Sequence, residues 1–202
     1  MAKAGSASER EPEVLPERRV EADGAVVECF ALPTDAASLE ALLRALFAEH
    51  WQEITFGPII EGAVWEIHAA QAPSRIGMFD GYLTVAFGVS HFHLCIGAHR
   101  GPAHNPASPA LAQHRKTARA ELYRRLDHAG APVSWGLRLW NGAGEQQATI
   151  LLPNPFLEAG TDKVLKTPDW SRLALWDGLR ARWLGLAEPD PFDRSAARFT
   201  HG

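Results

Sequence analysis

The spacing of apolar residues changes period several times along the chain, and each change marks an element. Residues 25–32 form a β-branched and apolar run that reads as a strand closed by Pro33 and Thr34. Leu39, Leu42, Leu43, Leu46 and Phe47 follow at helical spacing and predict an amphipathic helix to about Trp51. Residues 55–69 look extended, punctuated by Gly57-Pro58 and Gly62, with the best strand at 63–68. Asp80-Gly81 between two short apolar runs signals a hairpin turn. A long strand region then covers 82–96, with Gly88 as its point of bending or breakage.

Residues 97–109 carry three prolines and two glycines and read as a loop. Leu111, Ala118, Leu122 and Leu126 then fall on one helical stripe and predict a helix over 110–128. Residues 133–140 and 145–152 pair as a hairpin across Asn141-Gly142-Ala143-Gly144. Thr167-Pro168-Asp169 supplies an N-cap and a proline at the first helical position for a last helix through Leu184. Hairpins outnumber alternating strand–helix units. The expected fold is therefore α+β: a mainly antiparallel sheet with about three helices packed on it, in a two-layer single domain. That domain spans 25–186. Residues 1–24 are poor in large apolar side chains and predict a disordered leader, and 187–202 predict a C-terminal tail.

Composition narrows the class. A chain of 202 residues, 46% hydrophobic and 22% charged, has enough material for one core. A net charge of −4 argues against a nucleic-acid partner. No apolar run approaches a membrane span, and the first twenty residues do not resemble an export signal. Cys29 and Cys95 are then expected as reduced thiols in a cytoplasmic protein. Seven tryptophans exceed what one small core needs, so Trp140, Trp170 and Trp183 are candidates for covering a homo-oligomer surface.

The stretch with most chemistry is His91-Phe92-His93-Leu94-Cys95. A strand repeats every two residues, so extended backbone turns His91, His93 and Cys95 to one face. Continued alternation adds Leu83, Val85, Phe87 and Val89 to that face, with Phe92, Leu94 and Ile96 opposite, which implies a central strand. Two imidazoles and a thiolate are the donor set of a transition-metal site. Zinc is favoured, copper is well served, and iron would call for Glu66 or Glu61 in the shell. Glu66 and His68 also alternate. They are expected to complete the shell, with Glu66 as acid/base or orienting partner. His99, four residues beyond Cys95 in the following loop, is a further ligand candidate. Arg115 falls within the apolar stripe of the predicted helix, where its fork would clamp a carboxylate or phosphate.

The resulting expectation is a small metalloenzyme acting on a small anionic substrate. Three alternatives share these residues: a closed metal site for storage, sensing or structure; a thiol enzyme pairing Cys95 with His93; and a small-ligand-binding module whose histidines are hydrogen-bonded in the core.

Overall fold

The computed structural model describes residues 14–60, 62–195 and 199. Strand β1 (Glu17–Val20) turns back onto β2 (Val26–Ala31), and Asp35 caps helix α1 (Ala36–Glu49) by accepting from the Ser38 amide at 2.9 Å. Three short strands follow: β3 (Thr55–Gly57), β4 (Ile59–Ile60) and β5 (Ala63–Val64). A meander comes next, made of β6 (Arg75–Phe79), β7 (Tyr82–Phe87) and β8 (Ser90–Cys95). Helix α2 (Pro109–Arg115) leads into the long strands β9 (Thr117–Leu126) and β10 (Pro132–Asn141), then β11 (Gln146–Leu151). A 3-10 turn at Trp170–Leu173 runs into helix α3 (Ala174–Leu184).

The main sheet has the order β1-β2-β9-β10-β11-β3, with every pairing antiparallel, and the meander forms a separate three-stranded sheet. The fold is α+β, a single small domain with three α-helices among the described residues. One face of the main sheet holds the core. Leu122 and Leu137 pack there with Leu39, Leu43 and Leu46 of α1, Trp176 of α3, and Leu83 and Val85 of the meander. Among the described residues no helix packs a core on the other face. No helix among the described residues is long and apolar enough to cross a membrane.

Several expectations change. The 82–96 region is two strands, because the chain reverses at Gly88 (φ 68°) and pairs Phe87 with Ser90. His91, His93 and Cys95 therefore sit opposite Ala86, Thr84 and Tyr82, while Leu83 and Val85 face the other way with Leu94 and Phe92. Strand β8 is an edge of the meander, not a central strand.

The helix predicted over 110–128 stops at Arg115, and the rest is β9, a central strand of the main sheet. Its Ala, Glu, Leu and Arg residues favour helices in isolation, but pairing with β2 and β10 on both sides overrides that weak preference.

Part of the expected leader is ordered. Residues 1–13 lie outside the described residues, but β1 pairs with β2, and Arg19 reaches Glu121 of β9 at 2.6 Å. Hydrogen bonds and this ion pair supply the ordering that apolar content does not announce. The expected tail is docked as far as it is described. Asp190 is 3% exposed and accepts from the Trp176 indole at 2.8 Å, and Phe192 lies 6.0 Å from the Trp135 ring. The tryptophans assigned to an oligomer surface are used inside the chain. Trp140 is buried, and Trp170 and Trp183 pack against the core.

Candidate functional site

Alternation along β9 sends Ala120 and Leu122 to the core and Arg119, Glu121, Tyr123 and Arg125 to the open face. Register then stacks side chains across strands. Trp140 lies opposite Arg119, Arg138 opposite Glu121, and Gly136 opposite Tyr123; on β11, Thr149 lies opposite Arg138. Gly136 is required here: a Cβ at that position would sit 2.6 Å from the Tyr123 ring, which lies across the bare backbone.

Glu121 is the electrostatic centre of this face. It is 1% exposed, and two guanidiniums compensate its burial, Arg19 at 2.6 Å and Arg138 at 3.1 Å. Arg138 also pairs with Glu21 from the turn after β1. Its guanidinium stacks 4.1 Å over Tyr123 and 5.3 Å from Trp140, while Arg119 lies 3.6 Å over Trp140. The result is a ladder of alternating cations and aromatic rings held on rigid strands. Burial pushes the Cys29 thiol up to about 11, with the Glu121 charge adding to the shift, and burial pushes Tyr123 up to about 12.

Above this floor is a groove of about 1030 Å³. The β4–β5 hairpin supplies an apolar wall with Ile59, Ile60 and Val64, and Glu21 and Asp23 line it from the turn after β1. The volume is in the range of small-molecule sites, which commonly pair an apolar lining with a few placed polar groups. Arg119 is exposed and has no carboxylate within ion-pair distance among the described residues, its charge acting at longer range on Glu17. The Nε of Arg138 is buried and has no hydrogen-bond partner among them.

The residues singled out by sequence are distributed differently. His91 and His93 are exposed on the outer face of β8 with ring centres 5.0 Å apart, and His93 Nδ1 is 2.7 Å from the Thr84 hydroxyl. Cys95 shares their side of the strand but is buried, with Sγ 3.8 Å from the Gly97 carbonyl. Burial raises its thiol above the ordinary value, which keeps it protonated and leaves it no activated nucleophile.

His99 belongs to another cluster. Its Nδ1 is 2.9 Å from Asp80, and its Nε2 accepts from Arg115 Nη1 at 2.9 Å. Arg115 is the last residue of α2 and is spent on this contact; it does not reach over the main sheet as a clamp. Asp80 also accepts the Arg100 and Gly101 amides, which hold its carboxyl below the usual range and fasten the loop after β8.

Glu66 and His68 line a separate cavity of about 220 Å³ with Thr55 and Arg172, and Glu66 also borders the large groove. Ile67 between them lines a pocket shared with His93, so its neighbours turn away from the His-x-His pair. Glu61 lies outside the described residues. Among the described residues no group of three or more His, Cys, Asp or Glu is placed so that it could hold a metal ion.

Sequence reading missed Arg119, Glu121, Tyr123, Arg138 and Trp140. The signal was there as a period of two in Arg119-x-Glu121-x-Tyr123-x-Arg125, masked by the helical spacing of the leucines. No curated protein and no solved structure matches the chain. Residues 16–185, which include all of these groups and nearly the whole fold, match the model of a family described as of unknown function, DUF7676, and the chain belongs to that family.

Proposed function

We propose that this chain is a binding module for a small anionic organic molecule with a flat apolar body, held in the groove on the open face of the main sheet. The observation that carries the reading is the Arg119–Trp140–Arg138–Tyr123 ladder above the paired, buried Glu121. Stacking fixes the cations before any ligand arrives, so little side-chain freedom is lost on binding. The apolar body of the ligand lies against Ile59, Ile60 and Val64, and its anionic group meets the fork of Arg119. The groups on the floor best suited to nucleophilic attack, Cys29 and Tyr123, hold their protons far above neutral pH, which favours recognition over covalent chemistry.

The test is titration with 2-naphthoate followed by tryptophan fluorescence and calorimetry, with 2-naphthalenemethanol as the uncharged control. Saturable binding of the carboxylate is expected. It should weaken about tenfold in Arg119→Gln, the order of a lost charge-assisted hydrogen bond. Equal affinity for the acid and the alcohol, or no change in Arg119→Gln, overturns the reading.

A further inference from the structure

The groove and the cavity of about 220 Å³ beside it are continuous: Glu66, Ser134, Leu151 and Asn154 line both. Glu66 stands at the junction. The Phe56–Ile67 bridge, and the Trp65 amide donating to the Pro58 carbonyl at 3.1 Å, lay residues 65–67 alongside β3. Gly57 makes room for this passage, since a Cβ there would sit 2.0 Å from the Trp65 carbonyl oxygen. Alternation sends Ile67 to the side of Phe56 and keeps Glu66 and His68 on the open side, where His68 meets the Thr55 hydroxyl at 3.0 Å. Glu66 is exposed and has no basic group within ion-pair distance among the described residues.

Charge changes sign along this path. At one end Arg119 and Arg138 stack on Trp140, and the nearby Glu145 is engaged by Asn141 and His114. At the other, Glu53, Glu66, Glu158 and Asp162 line the cavity against one guanidinium, Arg172, whose Nε donates to the Asn154 carbonyl. Val64 of the apolar wall is two residues from Glu66 and lines the groove with it. Arg119 leans one strand inward over Trp140, and from β10 to residues 65–67 there remain three strand steps of about 4.8 Å, or roughly 14 Å. A fused bicyclic body with a charged group at each end spans that distance less the reach of the Glu66 side chain.

We propose that the ligand of the groove is an elongated zwitterion, with its anionic group on Arg119, its flat body along Ile60 and Val64, and a primary ammonium on Glu66 at the cavity mouth. This inference rests on the groove reading and adds a second charge to it.

The experiment is calorimetric titration of the full chain with 6-(aminomethyl)-2-naphthoate, 6-(hydroxymethyl)-2-naphthoate and 2-naphthoate, in wild type and Glu66→Gln. The amine should bind wild type about tenfold tighter than the other two, the order of a charge-assisted hydrogen bond. Glu66→Gln should erase that advantage and leave 2-naphthoate affinity within about twofold, because the contact it removes is absent from that ligand. An amine no tighter than the alcohol overturns the inference, while 2-naphthoate binding alone keeps the groove reading. An advantage that survives in Glu66→Gln also overturns it. If none of the three binds, both fall.

Discussion

Cys29 and Tyr123 are cross-strand partners beneath the groove, and both are buried acids that are neutral when protonated. Burial, followed by the charge of Glu121, lifts the Cys29 thiol from 9.0 to about 11. Burial lifts Tyr123 from 10.0 to about 12. In the unfolded chain both ionise near their ordinary values, whereas the folded chain retains the protons longer. Their contribution to stability is therefore whole below pH 9 and is lost as pH climbs towards 11 and 12. The melting temperature is expected to stay level through neutral pH and fall from pH 9 upwards. In Cys29→Ala the fall should begin later, near the ordinary value of Tyr123. A variant whose curve overlays the wild type from pH 9 to 10 would mean that the thiol keeps its solvent-exposed behaviour.

Among the elements, those whose pattern answers to one local rule were legible. Helix α1 announced itself through Leu39, Leu42, Leu43, Leu46 and Phe47, and it ends at Glu49, close to the expected Trp51. The Asp80-Gly81 turn was equally plain, with both residues at positive φ, 44° and 81°, as a tight hairpin demands. The β10–β11 hairpin follows from its loop and alternation. Strand β9 was not legible, because a sheet interior is made by its neighbours and Leu122 and Leu126 fit both periods. The candidate site suffered from the same error. Reading β9 as a helix scattered the ladder residues around a cylinder and left β8 as the only visible concentration of chemistry. Gly88 then decided what β8 could do, since a reversal there placed His91 and His93 on an edge, with Cys95 buried beyond them. This geometry predicts that zinc taken up at β8 is held by the two imidazoles alone. Zinc titration should show weak uptake, abolished in His91→Ala and unchanged in Cys95→Ser. Tight, equimolar zinc lost in Cys95→Ser would restore the three-donor centre.

At the scale of the molecule, the two faces of the main sheet divide the work, the open one presenting the groove and the other holding the chain together. Part of that holding is ionic. Arg124 bonds Glu28 at 2.7 Å and pairs with Asp190, which also takes the Trp176 indole proton and lies 3.8 Å from Arg180. Asp190 reaches this position from beyond the last helix. Its backbone amide donates to Asp177 at 2.9 Å, and Phe192 covers Trp135 and Trp170. Deleting 187–202 would leave Arg124 and Arg180 buried beside an indole N–H that has lost its acceptor. Loss of one member of a buried charge cluster typically costs about 3 kcal/mol or more, so urea denaturation of the truncated chain should show at least that. Asp190→Asn removes the charge while keeping an oxygen for Trp176, and a smaller loss of about 2 kcal/mol is expected. Because Asp190 lies on the face opposite Arg119 and Trp140, this substitution should leave 2-naphthoate affinity within about twofold, as separated sites act independently. If Asp190→Asn weakens binding as much as it weakens the fold, the open face depends on the far side for its shape. The groove would then be coupled to the packing beneath it. If stability falls and affinity holds, the sheet is rigid enough to carry core and site separately.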